Sequence, residues 1–132
     1  MQKKLSSGSL LNEKGHLEQA GYSTGMVRKY DRTQIKAGKM KIKEWDYYLV
    51  YNSSYAIALT VADNGYMGML SASVIDFEKK WEKTSSIIDL FTLGKYNMPS
   101  SSKKGDVVVK NNQGSFSFVH EGEKRRDRKS VV

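Results

Sequence analysis

Carboxylates at strand positions are the residues of this chain best placed to do chemistry. Glu44, Asp46, Asp63 and Asp76 stand in or beside segments that read as β-strands. A carboxylate enclosed in a cavity has a raised pKa and can act as a general acid. Tyr48 follows Asp46 by two residues and so shares its side of a strand. The candidate catalytic set is therefore Asp46 and Glu44, with Tyr48 assisting. Other chemistries find less support. The chain has no Cys, hence no thiolate nucleophile and no disulfide framework. His16 and His120 lie far apart with no partner at ligand spacing, so no metal site is expected. There is no Gly-x-Ser-x-Gly elbow. Gly65-Tyr66-Met67-Gly68 falls within a strand pattern rather than before a helix, so it is no dinucleotide loop, and no cofactor is expected.

The elements that must position these residues begin at Trp45, where apolar residues take a period of two. Trp45, Tyr47, Leu49 and Tyr51 alternate with Asp46, Tyr48 and Val50. Tyr55, Ile57, Leu59 and Val61 alternate with Ala56, Ala58, Thr60 and Ala62, and Tyr66 to Phe77 returns after Asn64-Gly65. Asn-Gly between alternating runs signals a hairpin, because both residues accept positive φ. A two-residue loop there pairs Asp63 with Tyr66 and puts Leu59 opposite Leu70. For the preceding turn, a three-residue loop over Asn52-Ser53-Ser54 is preferred, since Ser-Ser supplies no residue at ease with positive φ. It pairs Tyr51 with Tyr55 and sets Asp46 opposite Thr60. One face then carries Trp45, Tyr47, Leu49, Ile57, Leu59 and Leu70, and reads as core. The other carries Glu44, Asp46, Tyr48, Thr60, Met67, Met69, Ser71 and Ser73. Its small and polar side chains read as the lining of a ligand cavity or a partner-covered surface, or else as an open solvent face. Asp46, Tyr48, Thr60, Met67, Met69, Ser71 and Ser73 are the candidate ligand-binding residues.

Elsewhere, strands are expected around Ile87-Ile88, over 106–110 and over 115–120, with a long loop between Thr92 and Gly105 and a charge run from Glu121 to Lys129. About six strands at roughly ten-residue spacing predict an all-β antiparallel meander forming a barrel or part of one. Residues 1–34 read as an irregular N-terminal arm with one short helical turn near Asp31 to Ala37. Residues 35–132 read as the antiparallel β domain.

The formal net charge of +8 is unevenly spread. Residues 1–43 hold ten Lys/Arg against three acids, residues 44–91 three against seven, and residues 92–132 nine against four. Basic flanks could meet phosphates. They lack the interleaved aromatics of a stacking platform, which argues against a nucleic-acid partner. The N-terminus lacks the apolar stretch of a signal peptide and no run approaches a membrane span, so the chain reads as cytoplasmic.

Five stretches carry a family resemblance. Leu10-Leu11-Asn12-Glu13-Lys14-Gly15 with Ala20-Gly21-Tyr22-Ser23, then Ile42-Lys43-Glu44-Trp45-Asp46-Tyr47-Tyr48, Ala62-Asp63-Asn64-Gly65-Tyr66-Met67-Gly68 and Asp76-Phe77, resemble an uncharacterised bacterial family, domain of unknown function 2804. The resemblance runs from about residue 9 to about residue 122 and brings no established activity. More remotely, Glu44-Trp45-Asp46-Tyr47 looks like a stretch of the hydroxyneurosporene synthase group, the carotenoid hydratases, whose architecture is a tandem of lipocalin-like barrels. The resemblance implies a lipocalin-like barrel, partial or complete, and a chain that is the front half of a longer family member. The function expected first is binding of an apolar or amphipathic small molecule. A hydratase- or isomerase-type enzyme using a strand carboxylate and a self-assembly module are the alternatives. A homodimer is expected, because about six strands fall short of the roughly eight that close such a barrel and leave an open edge.

Overall fold

The computed structural model describes residues 2–122 and 124–131. Its contacts divide the chain into two units: Met1–Gly38 with Pro99–Gly105, and Lys39–Met98 with Asp106–Val132.

The first unit has little regular structure. β1 (Gly8–Ser9) pairs in parallel with β2 (Arg28–Lys29). A single 3-10 turn, Arg32–Gln34, is capped by Asp31, whose carboxylate accepts the Thr33 N–H at 2.9 Å. That bond satisfies one of the orphan donors of the turn. The turn falls where the sequence placed it.

The second unit is all antiparallel β. β3 (Glu44–Tyr51), β4 (Tyr55–Asp63), β5 (Met67–Asp76) and β6 (Trp81–Leu90) form a four-stranded meander in chain order. β7 (Val107–Lys110), β8 (Gly114–Glu121) and β9 (Lys124–Val131) form a three-stranded one. Six of these strands stand where the sequence pattern placed them. The seventh, β9, lies in the segment read as a charge run. Its backbone pairs with all of β8, Gly114 opposite Val131 through Glu121 opposite Lys124. A ladder asks only for backbone donors and acceptors, so a charged strand at a sheet edge is allowed and leaves no hydrophobic period to read.

The first two turns of the larger sheet depart from the expected register. Asn52, not Tyr51, closes the first: its N–H donates to the Tyr55 carbonyl at 2.9 Å, and Tyr51 faces Ala56. Ser53 and Ser54 avoid positive φ. The Asn52 carboxamide instead accepts the N–H groups of Ser54 (2.9 Å) and Tyr55 (2.8 Å) and holds the turn through its side chain. In the second turn Asn64 and Met67 close the loop (2.8 Å), with Gly65 at φ 77. Leu59 therefore faces Ala72, and Leu70 faces Val61. This second shift is of two residues and leaves the faces intact. The first is of one, and it turns β3 over.

The consequence is a corrected core. The inner face carries Val61, Leu70, Leu59, Ala72, Tyr48 and Ile87, packed against Val107, Val109, Phe116 and Phe118 of the smaller sheet and against Tyr96 and Met98. The Tyr48 and Phe118 rings stack at 4.0 Å. Phe118 is 0% exposed, whereas Trp45, assigned to the core from sequence, is 65% exposed on the other face. Tyr47, Leu49 and Ile57, likewise expected inside, are exposed too. No sheet among the described residues closes into a barrel.

Candidate functional site

On the outer face of β3–β6, the register sets rows of very different side chains next to each other. β3 contributes Trp45, Tyr47, Leu49 and Tyr51. Opposite them on β4 stand Ala62, Thr60, Ala58 and Ala56. Next come Met69, Ser71, Ser73 and Ile75 of β5, then Ile88, Ser86, Thr84 and Glu82 of β6. The alanines are buried beneath taller neighbours, while Trp45 and Tyr51 are 65% and 71% exposed. The face is thus a shallow trough with an aromatic wall, an alanine floor and a hydroxyl-bearing flank. On that flank the Ser73 and Thr84 hydroxyls bond at 2.7 Å and Ser86 donates to Ser71 at 3.2 Å.

Of the candidate ligand-binding residues, Thr60, Met67, Met69, Ser71 and Ser73 share this face. Asp46 and Tyr48 do not. With Glu44 they lie on the inner side of β3, Asp46 opposite Val61 and Tyr48 opposite Leu59. The Tyr48 hydroxyl donates to Asp46 Oδ2 at 2.8 Å, so the acid and phenol paired in the sequence reading do meet. They meet where the Tyr48 ring is committed to stacking on Phe118.

A third carboxylate, Asp63, proves architectural. It is fully buried at the end of β4. Its Oδ1 accepts the Gly65 N–H (3.0 Å) and the Thr92 hydroxyl (2.8 Å), and its Oδ2 accepts the Tyr96 N–H (3.3 Å). Burial pushes its carboxyl upward. The bonds from Thr92 and from the backbone of Gly65, Gly94 and Tyr96 outweigh that and hold it below the ordinary carboxylate value. Asp63 therefore pins the loop after β6 to the β4–β5 turn. Gly68 completes the joint: a Cβ there would sit 2.5 Å from Thr92 Cγ2 and from the Tyr96 hydroxyl oxygen. Asp63 and Gly68 of the Ala62-to-Gly68 stretch thus have a place in this joint.

Next to this joint, the Tyr96 hydroxyl donates to Asp89 Oδ2 at 2.6 Å, and Asn111 Nδ2 reaches both Asp89 oxygens at 3.1 Å. Burial, then the Asp89 bond, raises the Tyr96 pKa and keeps the phenol protonated. A hollow of about 370 Å³ lies here, with Asp89, Tyr96, Lys95 and Lys110 among its lining. Sequence reading missed this group. Thr92 and Tyr96 fall in a segment with no period, and Asn111 in a turn. Asp63 at the end of an apolar strand was the one signal pointing to it.

Among the described residues no helix is long and apolar enough to cross a membrane, and no group of three or more His, Asp or Glu is placed to hold a metal ion. No curated protein and no solved structure matches the chain at a significant level. The model of one family, described as a domain of unknown function (DUF2804), matches residues 2–131, and with the motifs of β3 and of the Asp63 turn now placed in the fold, the chain belongs to that family.

Proposed function

We propose that this protein is a binding module whose four-stranded sheet offers its outer face to an apolar or amphipathic small molecule. One observation carries the reading: an aromatic wall, an alanine floor and a hydroxyl flank run side by side along β3 to β6. Contiguous apolar surface of this kind marks an interaction site in a folded protein. A flat or extended apolar body can lie along the exposed aromatic wall, over the low alanine row, while the Ser73, Thr84 and Ser86 hydroxyls suit a polar end. The inner position of Asp46 and Tyr48 gives a hydratase reading no support.

Titrating laurate into a Trp81→Phe variant tests this, because the remaining tryptophan, Trp45, stands on the wall. The expected result is a saturable change in Trp45 emission, abolished when Ala58→Leu fills the floor. Unchanged emission, or equal affinity in Ala58→Leu, overturns the reading. The second reading is a homodimer, favoured because β3 and β6 are both edge strands of this sheet. It predicts sedimentation at twice the 15.0 kDa chain mass without ligand.

A further inference from the structure

We infer that the unit formed by Met1–Gly38 with Pro99–Gly105 binds an oxyanion, the phosphate or carboxylate group of a small polar molecule, at Arg28. Arg28 is half-buried, and its guanidinium is charged at any pH the protein meets. Nη1 donates to the Ser9 carbonyl at 3.0 Å, and Nη2 to the Ser6 hydroxyl at 3.3 Å and to Gln19 Oε1. Nε is buried and makes no hydrogen bond. The three acceptors that these bonds reach, among the described residues, are all neutral.

A partly buried cation is ordinarily met by a carboxylate, which pairs with both edges of the fork. Here the position facing it is an amide. Gln19 Oε1 is further engaged by the Ser6 N–H at 3.1 Å and the Ser6 hydroxyl at 3.3 Å, so the site is ordered around a neutral oxygen where a Glu would have supplied the counter-charge. The positive charge is left for something that arrives.

Space for it exists. A groove of about 1090 Å³ has Arg28, Ser6 and Gln19 in its lining, together with Lys14 and Lys36. This unit holds nine Lys/Arg against three acids. Two of those acids, Glu13 and Glu18, also line the groove, which disfavours a ligand that is anionic throughout. A small molecule with one anionic group and a neutral or cationic remainder fits best.

Isothermal titration of the full chain at low ionic strength, with glycerol 3-phosphate and separately with glycerate, each a single anionic group on a neutral remainder, tests the inference. One-to-one binding of at least one anion is expected. Gln19→Glu supplies the missing counter-charge, so it should weaken binding at least about tenfold without lowering the melting temperature. Arg28→Lys keeps the charge but loses the fork, and should weaken binding as well. Stronger binding of glycerol 3-phosphate names phosphate as the group, and stronger binding of glycerate names carboxylate. If the unsubstituted chain binds neither anion, or Gln19→Glu binds as it does, the inference fails. The second outcome would leave scattered surface lysines as the source of the signal.

Discussion

The two faces of the β3–β6 sheet are both rich in large apolar residues, yet they meet opposite fates. On the inner face Leu70 and Val61 are sealed under Phe116 and Phe118 of the smaller sheet. On the outer face Trp45, Tyr47 and Tyr51 stand exposed over alanines. Hydrophobicity does not separate them, since β3 carries a bulky aromatic at 45 and 47 on one side and at 48 on the other. The difference lies in what the neighbouring strands contribute. The inner rows of β4 and β5 hold branched residues that interdigitate with a second layer. The middle of the outer rows holds Ala, Thr and Ser, too small to fill a layer of their own, with Met69 and Ile75 only towards the ends. Burial in this molecule follows the shape that neighbouring rows make together.

That contrast breaks most readily at Phe118. It is fully buried, stacks on Tyr48 and meets Phe116 edge-on at 5.9 Å. Phe118→Ala should cost about 4 kcal/mol, the transfer loss plus the cavity left behind. Urea unfolding measures it. A cost below about 1 kcal/mol would mean that the smaller sheet is not the cover of the inner face.

Asp63 anchors the inner side in a different way, by hydrogen bonding. Asp63→Ala leaves the Thr92 hydroxyl and the Gly65 and Tyr96 N–H groups, among others, without their acceptor and should cost about 3 kcal/mol. The charge itself is visible in pH dependence. The folded carboxyl titrates below its unfolded value of about 4. Its contribution is therefore present above about pH 4 and is lost as pH falls through the lower, folded value. Asp63→Asn should flatten the acid limb of the stability profile. An unchanged limb would show that the carboxylate contributes nothing through its charge.

Gly68 sharpens the same region by addition. Its missing Cβ makes room for Tyr96 and Thr92, and Tyr96 is held in place by Asp89. Gly68→Ala should cost about 2 kcal/mol through overpacking. A neutral result would show that the loop after β6 yields easily.

Much of this fold was legible in the sequence, because alternation and the Asn-Gly signal depend on neighbours in the chain. β3, β4, β5 and β8 were read on that basis, and β6 and β7 from short runs of β-branched residues. The faces were not. In Trp45-Asp46-Tyr47-Tyr48-Leu49-Val50-Tyr51 both parities hold large apolar side chains, so the pattern could not choose, and the turn had to. The turn was decided by the Asn52 carboxamide, which lets Ser53-Ser54 close without positive φ. Five of the candidate ligand residues survived on one face because the β4–β5 slip was even, whereas Asp46 and Tyr48 left with β3. The Asp63 joint was hidden for another reason: its partners Thr92 and Tyr96 lie 29 and 33 residues further along, beyond any local period.

The smallest expected effect is the one that defines the outer face. Trp45 is 65% exposed on an edge strand, so removing it gives back little buried area. Trp45→Ser should change stability by under about 1 kcal/mol. The same substitution takes a large ring from the wall of the trough, and laurate affinity, followed by calorimetry since the fluorophore is gone, should fall about tenfold. Stability and binding would then separate at one residue, which a packed aromatic cannot show: Phe118→Ala should lower both, because it unsettles the sheet on which the trough is built. If Trp45→Ser instead costs as much as Phe118→Ala, a second layer covers Trp45 in solution, the two faces are energetically alike, and the open trough is not where this protein binds its ligand.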